Sequence, residues 1–210
     1  MLVADIMSTR VVTVNVSDSL CHALTTLQKE RIRHLPVLDG DRLAGILTDR
    51  DLRDMSPAVL RQENIDRLSV LRVGEVMKSP PITAHPLDPV EDAARLMYVH
   101  RIGCLPVVKG GALVGILTET DILRCLVELM GVSRPSSRFE VVVPDTPGHL
   151  ASVASVIRDF GVNIISVITP ASKKEGFRSL VFRIATIDPR PLRQAVEALG
   201  YEVVWPPDKR

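Results

Sequence analysis

Large rings are scarce in this chain: aromatic residues make up 3% of 210, namely Trp205, two Tyr and four Phe. A core must therefore be filled by Val, Ile, Leu and Ala, which supply most of a 46% hydrophobic content and suit small, strand-rich α/β units. No apolar run approaches the roughly 20 residues of a membrane span, and Met1 to Arg10 carries Asp5 where a signal peptide would have a basic start and an apolar core. Neither charge sign is in excess, with 26 Lys and Arg against 25 Asp and Glu, dispersed rather than gathered. Nothing in that balance marks a nucleic acid or an anionic membrane as a partner. The three cysteines, Cys21, Cys104 and Cys125, are odd in number and have no C-x-x-C spacing, which predicts a reduced, cytoplasmic setting without disulfides. The histidines lack metal-ligand spacing, and no G-x-S-x-G, Walker or G-x-G-x-x-G stretch occurs. No metal, no cofactor and no catalytic centre are expected.

What is present is a repeat. Sliding the chain by 70 residues aligns Val3–Leu52 with Val73–Ile122 without a gap, and 17 of the 50 positions are identical, against roughly three by chance. Each copy reads β-α-β-β-α. Its first strand is Val11–Val14 or Ile82–Ala84, and a helix begins at Ser17/Asp18 or Asp88/Pro89. Leu20, Ala23, Leu24 and Leu27, or Val90, Ala93, Ala94 and Met97, form one apolar face of that helix. A hairpin follows, built from His34–Leu38 or Cys104–Val108, a Gly-containing turn, and a strand ending in Thr48 or Thr118. One apolar face of each small sheet needs a partner, which the other copy can supply.

Each last strand ends in Gly-Ile-Leu-Thr-x-x-Asp and leads into a helix. Thr48 and Thr118 then lie beside unpaired backbone N–H groups at the positive end of a helix dipole, a place that suits an anion. Asp51 and Asp121, one turn on, are suited to accept hydrogen bonds from a diol such as a ribose. The alternative is structural: Thr caps the helix and Asp completes a capping box.

The 70-residue repeat, the Leu-Pro-Val strands, the Gly-bounded hairpins and the Thr-x-x-Asp ends together resemble a tandem pair of CBS domains (a Bateman module) over residues 1 to 128. That resemblance implies clefts between the copies for AMP, ADP, ATP or S-adenosylmethionine, a regulatory role, and no catalysis. It implies phosphate at Thr48 and Thr118, ribose at Asp51 and Asp121, and adenine read by the backbone of Val12-Thr13-Val14 and Ile82-Thr83-Ala84. Ile32–Pro36 and Ile102–Pro106 would form apolar walls. The copies differ. The first has Arg50 and His34 where the second has Thr120 and Cys104, with His100, Arg101 and Lys109 as its nearby cations. Unequal sites are expected, the first tolerating more phosphate charge.

Between the copies, Arg53–Leu71 reads as a connector, with a short helix from Ser56-Pro57 through Leu60. After the second copy, Ile122–Met130 completes a helix that Gly131 ends, and 133–137 reads as a linker. The domains are thus expected at 1–70 (first copy with connector), 71–132 and 138–210.

The last domain reads β-α-β-β-α-β: a strand at Phe139–Val143, a helix with Leu150, Val153, Ala154 and Ile157 inward, and strands Val162–Thr169 and Ser179–Thr186. A helix with Leu192, Ala195, Val196 and Leu199 and a strand Glu202–Trp205 complete it. This is the ferredoxin-like order. The Asp-Thr-Pro-Gly-His-Leu turn at 145–150 and Phe160-Gly-Val-Asn-Ile164 resemble the ACT domain over 138–206. The resemblance implies an amino-acid site lined by Asp145, Gly148, His149, Leu150, Val162, Asn163 and Ile164; a domain that only dimerises is the alternative. A CBS pair followed by an ACT domain resembles the bacterial acetoin-utilisation family. The fold class expected is mixed α/β (α+β), two β-α-β-β-α units as a pseudo-twofold pair plus a ferredoxin-like domain. The expected role is a homodimeric regulatory sensor that passes occupancy through Ile122–Ser137 to an unknown metabolic partner. A nucleotide-phosphate enzyme using Asp49 or Glu119, and a scaffold with empty clefts, are the competing readings.

Overall fold

The fold is described from a computed structural model covering residues 1–55, 69–172 and 174–206. The expected Ser56–Leu60 helix and Lys173 lie outside these residues. The chain divides into two compact units, Met1–Leu123 and Arg124–Arg210.

In the first unit, each copy contributes a short leader helix, α1 Val3–Ile6 or α4 Val73–Val76, and a long helix, α2 Leu20–Glu30 or α5 Val90–His100. A hairpin follows, β2 His34–Asp39 with β3 Arg42–Thr48, or β4 Cys104–Lys109 with β5 Ala112–Thr118. A closing helix completes each copy, α3 Asp49–Met55 or α6 Glu119–Leu129; the unit division falls within α6. With the two-residue β1 Val14–Asn15, these strands make one sheet in the order β1-β2-β3-β5-β4. Its copies meet at the Arg42 and Ala112 pair between β3 and β5.

Two sequence expectations shift. The first strand shrinks to Val14–Asn15, and Ile82–Ala84 forms only an isolated bridge from Ala84 to Val107. Pro80, Pro81 and Pro86 around it carry no amide hydrogen for a ladder. α2 starts later than Ser17/Asp18 because the Asp18 carboxylate accepts from the Asn15 N–H at 2.7 Å and closes a turn instead; Asp88 accepts from the His85 N–H at the same distance, and α5 begins directly after Pro89. Ser19 then caps α2, accepting from His22 N–H at 3.2 Å.

The leaders do not pack on their own copies. Val3 is buried with Ala84, Met97, Leu105, Val107 and Leu117 of the second copy, and Val73 with Val14, Leu20, Leu35, Val37 and Leu47 of the first. Val3 N–H donates to Asp88 O, and Val73 N–H to Asp18 O, both at 2.9 Å. Ser8 then exchanges both backbone hydrogen bonds with Ile116, and Lys78 with Ile46, at 2.9–3.0 Å. Each of these hydrogen bonds recurs with the numbers shifted by 70, so the unit is a reciprocal exchange of leaders. Room for the exchange comes from glycine. A Cβ on Gly45 would stand 2.5 Å from Met77 Sδ and 2.8 Å from Lys78 O, and one on Gly115 2.5 Å from Met7 Sδ and 3.1 Å from Ser8 O.

The second unit has β6 Ser137–Pro144, α7 His149–Asp159, β7 Ile164–Ile168, β8 Phe177–Ile184, α8 Arg190–Ala198 and β9 Glu202–Trp205. Its antiparallel sheet has the order β7-β8-β6-β9, the ferredoxin-like arrangement. Alternate residues Phe139, Val141, Val143 and Leu180, Phe182, Ile184 face Val153, Ile157, Leu192 and Val196 in one core. Leu150 and Leu199, expected inward, are 43% and 54% exposed, since they occupy the first turn of α7 and the cap of α8, beyond the sheet.

Replacing Gly45 or Gly115 by Ala is expected to destabilise the chain by about 1–3 kcal/mol through overpacking. Gly45→Ala should be the worse, because the backbone oxygen, which cannot swing away, would stand 2.8 Å from its Cβ against 3.1 Å at Gly115. Urea denaturation of both variants, alone and combined with Met77→Ala or Met7→Ala, checks this. Shortening the methionine should rescue Gly115→Ala more fully than Gly45→Ala.

Candidate functional site

The Thr-x-x-Asp ends form capping boxes. The Thr48 N–H and hydroxyl donate to Asp51 Oδ2 at 2.9 and 2.6 Å, and Asp51 N–H donates to Thr48 Oγ1 at 3.2 Å. Thr118 and Asp121 repeat this at 3.0, 2.7 and 3.4 Å. Such a box stabilises a helix start by about 1 kcal/mol. The structural alternative is therefore present, but it does not exclude the other. Each Thr also lines a cavity at a helix N-terminus, where an anion is favoured.

Both cavities lie in the first unit and draw their walls from both copies. One, of about 310 Å³, brings Thr48, Asp49, Arg50 and Arg53 of the first copy to Lys78, Pro80, Pro81 and Ile82 of the second leader and to Arg101, Ile102, Cys104 and Pro106. The other, of about 250 Å³, brings Thr118, Glu119 and Thr120 to Ser8, Arg10, Val11 and Val12 of the first leader and to Arg31 and Ile32. Arg33, His34, Gly103 and Glu119 belong to both. The copy-by-copy grouping is thus corrected. Arg50 faces Cys104, whereas His34 lies between the two cavities; Arg101 serves the Thr48 cavity, and His100 and Lys109 line neither. The leader crosses between copies and carries the loop after it to the opposite Thr.

Asp51, Asp121, Thr13, Pro36 and Thr83 stand outside the walls of these two cavities. The two carboxylates sit behind their threonines, Pro36 is buried in β2 opposite Ile46, and Thr83 is exposed. Lys78 was not legible from its own copy. Its Nζ lies 3.1 Å from Asp51 Oδ1, a pairing between copies that only the exchanged leader creates. The 70-residue slide does set Lys78 against Ser8, which is the signal that could have found it.

Charge separates the cavities. The Thr48 cavity holds Arg33, Arg50, Arg53, Lys78 and Arg101 against Asp49 and Glu119, with Arg53 paired to Asp49 at 2.8 Å. The Thr118 cavity holds Arg10, Arg31 and Arg33 against Glu119. At the shared wall a Cβ on Gly103 would stand 2.9 Å from His34 Nε2, so glycine is what lets the imidazole approach the opposite loop. Burial, aided by Arg33, holds the His34 pKa below its ordinary 6.5, against the opposite pull of Asp49, Glu119 and Asp51. Burial and then Glu119 push the Cys104 thiol up to about 12, so it stays a neutral wall atom. Among the described residues no group of three or more His, Cys, Asp or Glu side chains is placed to hold a metal ion, and no helix is long and apolar enough to cross a membrane.

The candidates in the second unit separate. Asp145 is held by Arg178 through two hydrogen bonds, at 2.7 and 3.2 Å, which lower its pKa. His149 bridges Thr146 Oγ1 and Tyr201 Oη at 2.9 and 2.8 Å, after a turn that Gly148 permits with φ of 103°. Leu150 follows, exposed, in the same turn. Asn163 and Ile164 are elsewhere. Pro144, next to Asp145, pairs with Phe177, whereas Ile164 pairs with Ile184, about 24 Å along β8 at strand rise. Val162, beside them, packs on the core. Within one chain, the two halves of the expected amino-acid site lie at opposite ends of the sheet.

Comparison with known proteins identifies the families. Residues 3–57 and 73–128 match the CBS domain, and 136–205 match the TTHA0829-like ACT domain. A CBS domain-containing protein of Dictyostelium discoideum is 41% identical over 142 residues, 65% of this chain and 98% of that one. The CBS domain-containing protein YhcV of Bacillus subtilis is 33% identical over 120 residues, 57% of this chain and 81% of that one. Among solved structures, the CBS domain pair of MJ0100, in complex with 5′-methylthioadenosine and S-adenosyl-L-methionine, is 33% identical with a TM-score of 0.52, covering 61% of this chain and 97% of that one. CBSX2 in complex with AMP is 31% identical with a TM-score of 0.53, covering 63% and 98%. Exchanged repeat, paired cavities and sequence matches agree: the chain belongs to the CBS domain family, carrying two CBS domains in tandem followed by an ACT domain.

Proposed function

We propose that the chain is a non-catalytic sensor of adenine nucleotides or S-adenosylmethionine, with one adenosine-type ligand in each cavity of its CBS pair. The observation that carries this reading is the construction of the cavities. Each joins a helix N-terminus bearing Thr, suited to a phosphate or carboxylate, to an apolar wall from the opposite copy, Ile82 with Ile102 and Pro106 or Val12 with Ile32, suited to a flat base. Asp51, behind Thr48, takes a ribose hydroxyl with the carboxylate oxygen its capping bonds leave, and Asp121 holds the counterpart position behind Thr118. The adenosine compounds bound by MJ0100 and CBSX2 support the assignment. The cavities are unequal, the more cationic Thr48 site taking the more phosphorylated ligand.

The ligand selects one arrangement of the two CBS domains, and α6, which begins directly after Thr118 and runs past Leu123, carries the change towards the ACT domain and an unidentified metabolic partner. The protein works as a homodimer in the cytoplasm, and the ACT domain takes an amino acid at the Asp145–Leu150 turn. Because Asn163 and Ile164 lie at the far end of the sheet in their own chain, a second copy would have to bring them to that turn.

Calorimetric titration with AMP, ADP, ATP, S-adenosylmethionine, NADH and a set of amino acids, with phosphate release followed in parallel, tests the reading. Binding without turnover is expected; turnover would favour a nucleotide-phosphate enzyme, and silence a scaffold. Asp51→Ala should weaken ADP more than AMP, and Asp121→Ala should show the opposite preference, each by about tenfold or more for its own site. Equal preferences in the two variants would refute unequal cavities.

The pH dependence is also set. With its folded pKa below 6.5, His34 binds fewer protons than in the unfolded chain. Unliganded stability therefore falls as the pH drops from 6.5 through the folded value. A phosphate beside the ring favours the charged form and offsets this loss. AMP should therefore raise the melting temperature more at pH 5.5 than at pH 7.5 in the wild type, relative to His34→Gln at the same two pH values. No difference between the two proteins would remove His34 from the ligand's surroundings.

A further inference from the structure

We infer that Lys78 is a residue that makes the Thr48 cavity select for phosphate charge: its ammonium, paired with Asp51, transfers to the phosphates of the ligand. The inference rests on the adenine-nucleotide reading of that cavity. Asp51 has two carboxylate oxygens. Oδ2 is taken by the Thr48 N–H and hydroxyl, so Oδ1 is the oxygen left to receive a ribose hydroxyl, and Lys78 Nζ lies 3.1 Å from it. The Asp51 side chain is 10% exposed and that of Lys78 67%. An ion pair with one partner so exposed is weak and easily exchanged, contributing about 0–1 kcal/mol. The carboxylate is thus guarded but not locked.

Lys78 is placed for the transfer by its backbone. Its N–H and C=O are both hydrogen-bonded to Ile46, two residues before Thr48, so the stem is anchored while the ammonium is in solvent. It lines the same cavity as Thr48 and Arg50. A neutral nucleoside must displace the ammonium from Asp51 and gains no partner for it. A nucleotide supplies phosphate oxygens, and the charge-assisted bonds it forms with Lys78 strengthen with each phosphate. The counterpart position in the other cavity is Ser8, bonded to Ile116 as Lys78 is to Ile46, and it brings no charge. This side chain on an exchanged leader therefore adds to the charge difference that Arg50 against Thr120 already sets between the two sites.

The test titrates adenosine, AMP and ADP into the full chain carrying Asp121→Ala, which isolates the Thr48 cavity, with and without Lys78→Met; Met keeps the aliphatic stem. Loss of the ammonium should weaken ADP about tenfold and AMP about threefold, and leave adenosine unchanged or slightly tighter. The salt dependence of ADP binding should flatten. In the converse background, Asp51→Ala with Ser8→Lys should raise the ADP-to-AMP preference of the Thr118 cavity. An equal change for all three ligands, or none, overturns the role of Lys78 while leaving the nucleotide site standing. Failure of the Asp121→Ala chain and of the wild type to bind any of the three removes the site, and the role of Lys78 with it.

Discussion

The first unit depends on one close approach made twice: a leader strand laid against the glycine of the opposite copy's last strand, Lys78 on Ile46 beside Gly45 and Ser8 on Ile116 beside Gly115. Neither copy is a finished domain without it. Val73 fills the first core and Val3 the second, so each hydrophobic cluster takes a residue from the leader of the other copy. The backbone pairs that hold the leaders are satisfied only across the copies. Any side chain at the two glycines would press on methionine sulfur and on backbone oxygen, which is why the approach constrains everything built on it.

The cavities are consequences of that exchange. A leader that crosses over brings the loop following it to the wrong Thr, as judged by sequence order, and to the right one, as judged by space. Apolar wall and helix N-terminus then come from different copies, and the two cavities abut at Arg33, His34, Gly103 and Glu119. The pseudo-twofold symmetry fails at this wall. His34 and Gly103 face each other where strict symmetry would pair Cys104 with Arg33, so a small residue in one copy accommodates a large one in the other. A homodimeric pair of identical domains could not place one imidazole between two different sites; a diverged tandem repeat can.

Much of this was legible. Helical periodicity located α2, α5, α7 and α8, Gly-containing turns located both hairpins, and β9 was read at its observed bounds, because apolar period and turn chemistry are local signals. The strands at 11–14 and 82–84 were misread because a run of Val, Ile and Thr has strand propensity whether or not a neighbour is there to pair with it. Leu150 and Leu199 were placed inward because the apolar stripe continues to the helix ends, while the sheet beneath does not. Thr48, Arg50, His34, Cys104, Pro106, Val12, Ile82 and Thr118 all line the two cavities, but only the exchanged leaders decide which of them share a wall, and Lys78 carries no sequence signal within its own copy.

The reason for that division is physical. Which residues can cap, line an apolar wall, or carry charge is a property of side chains and short spacings, and a repeat of 17 identities in 50 positions announces two equivalent units without any coordinates. Repeats and motifs were therefore enough for the fold class and the family. Which Thr meets which wall is a property of a crossing: ladder bonds between residues 32 and 108 positions apart can form only when both cores exist, and no local pattern records them. Tertiary structure alone put Lys78 on Asp51, set His34 between two cavities, and carried Asn163 to the far end of the sheet from Asp145.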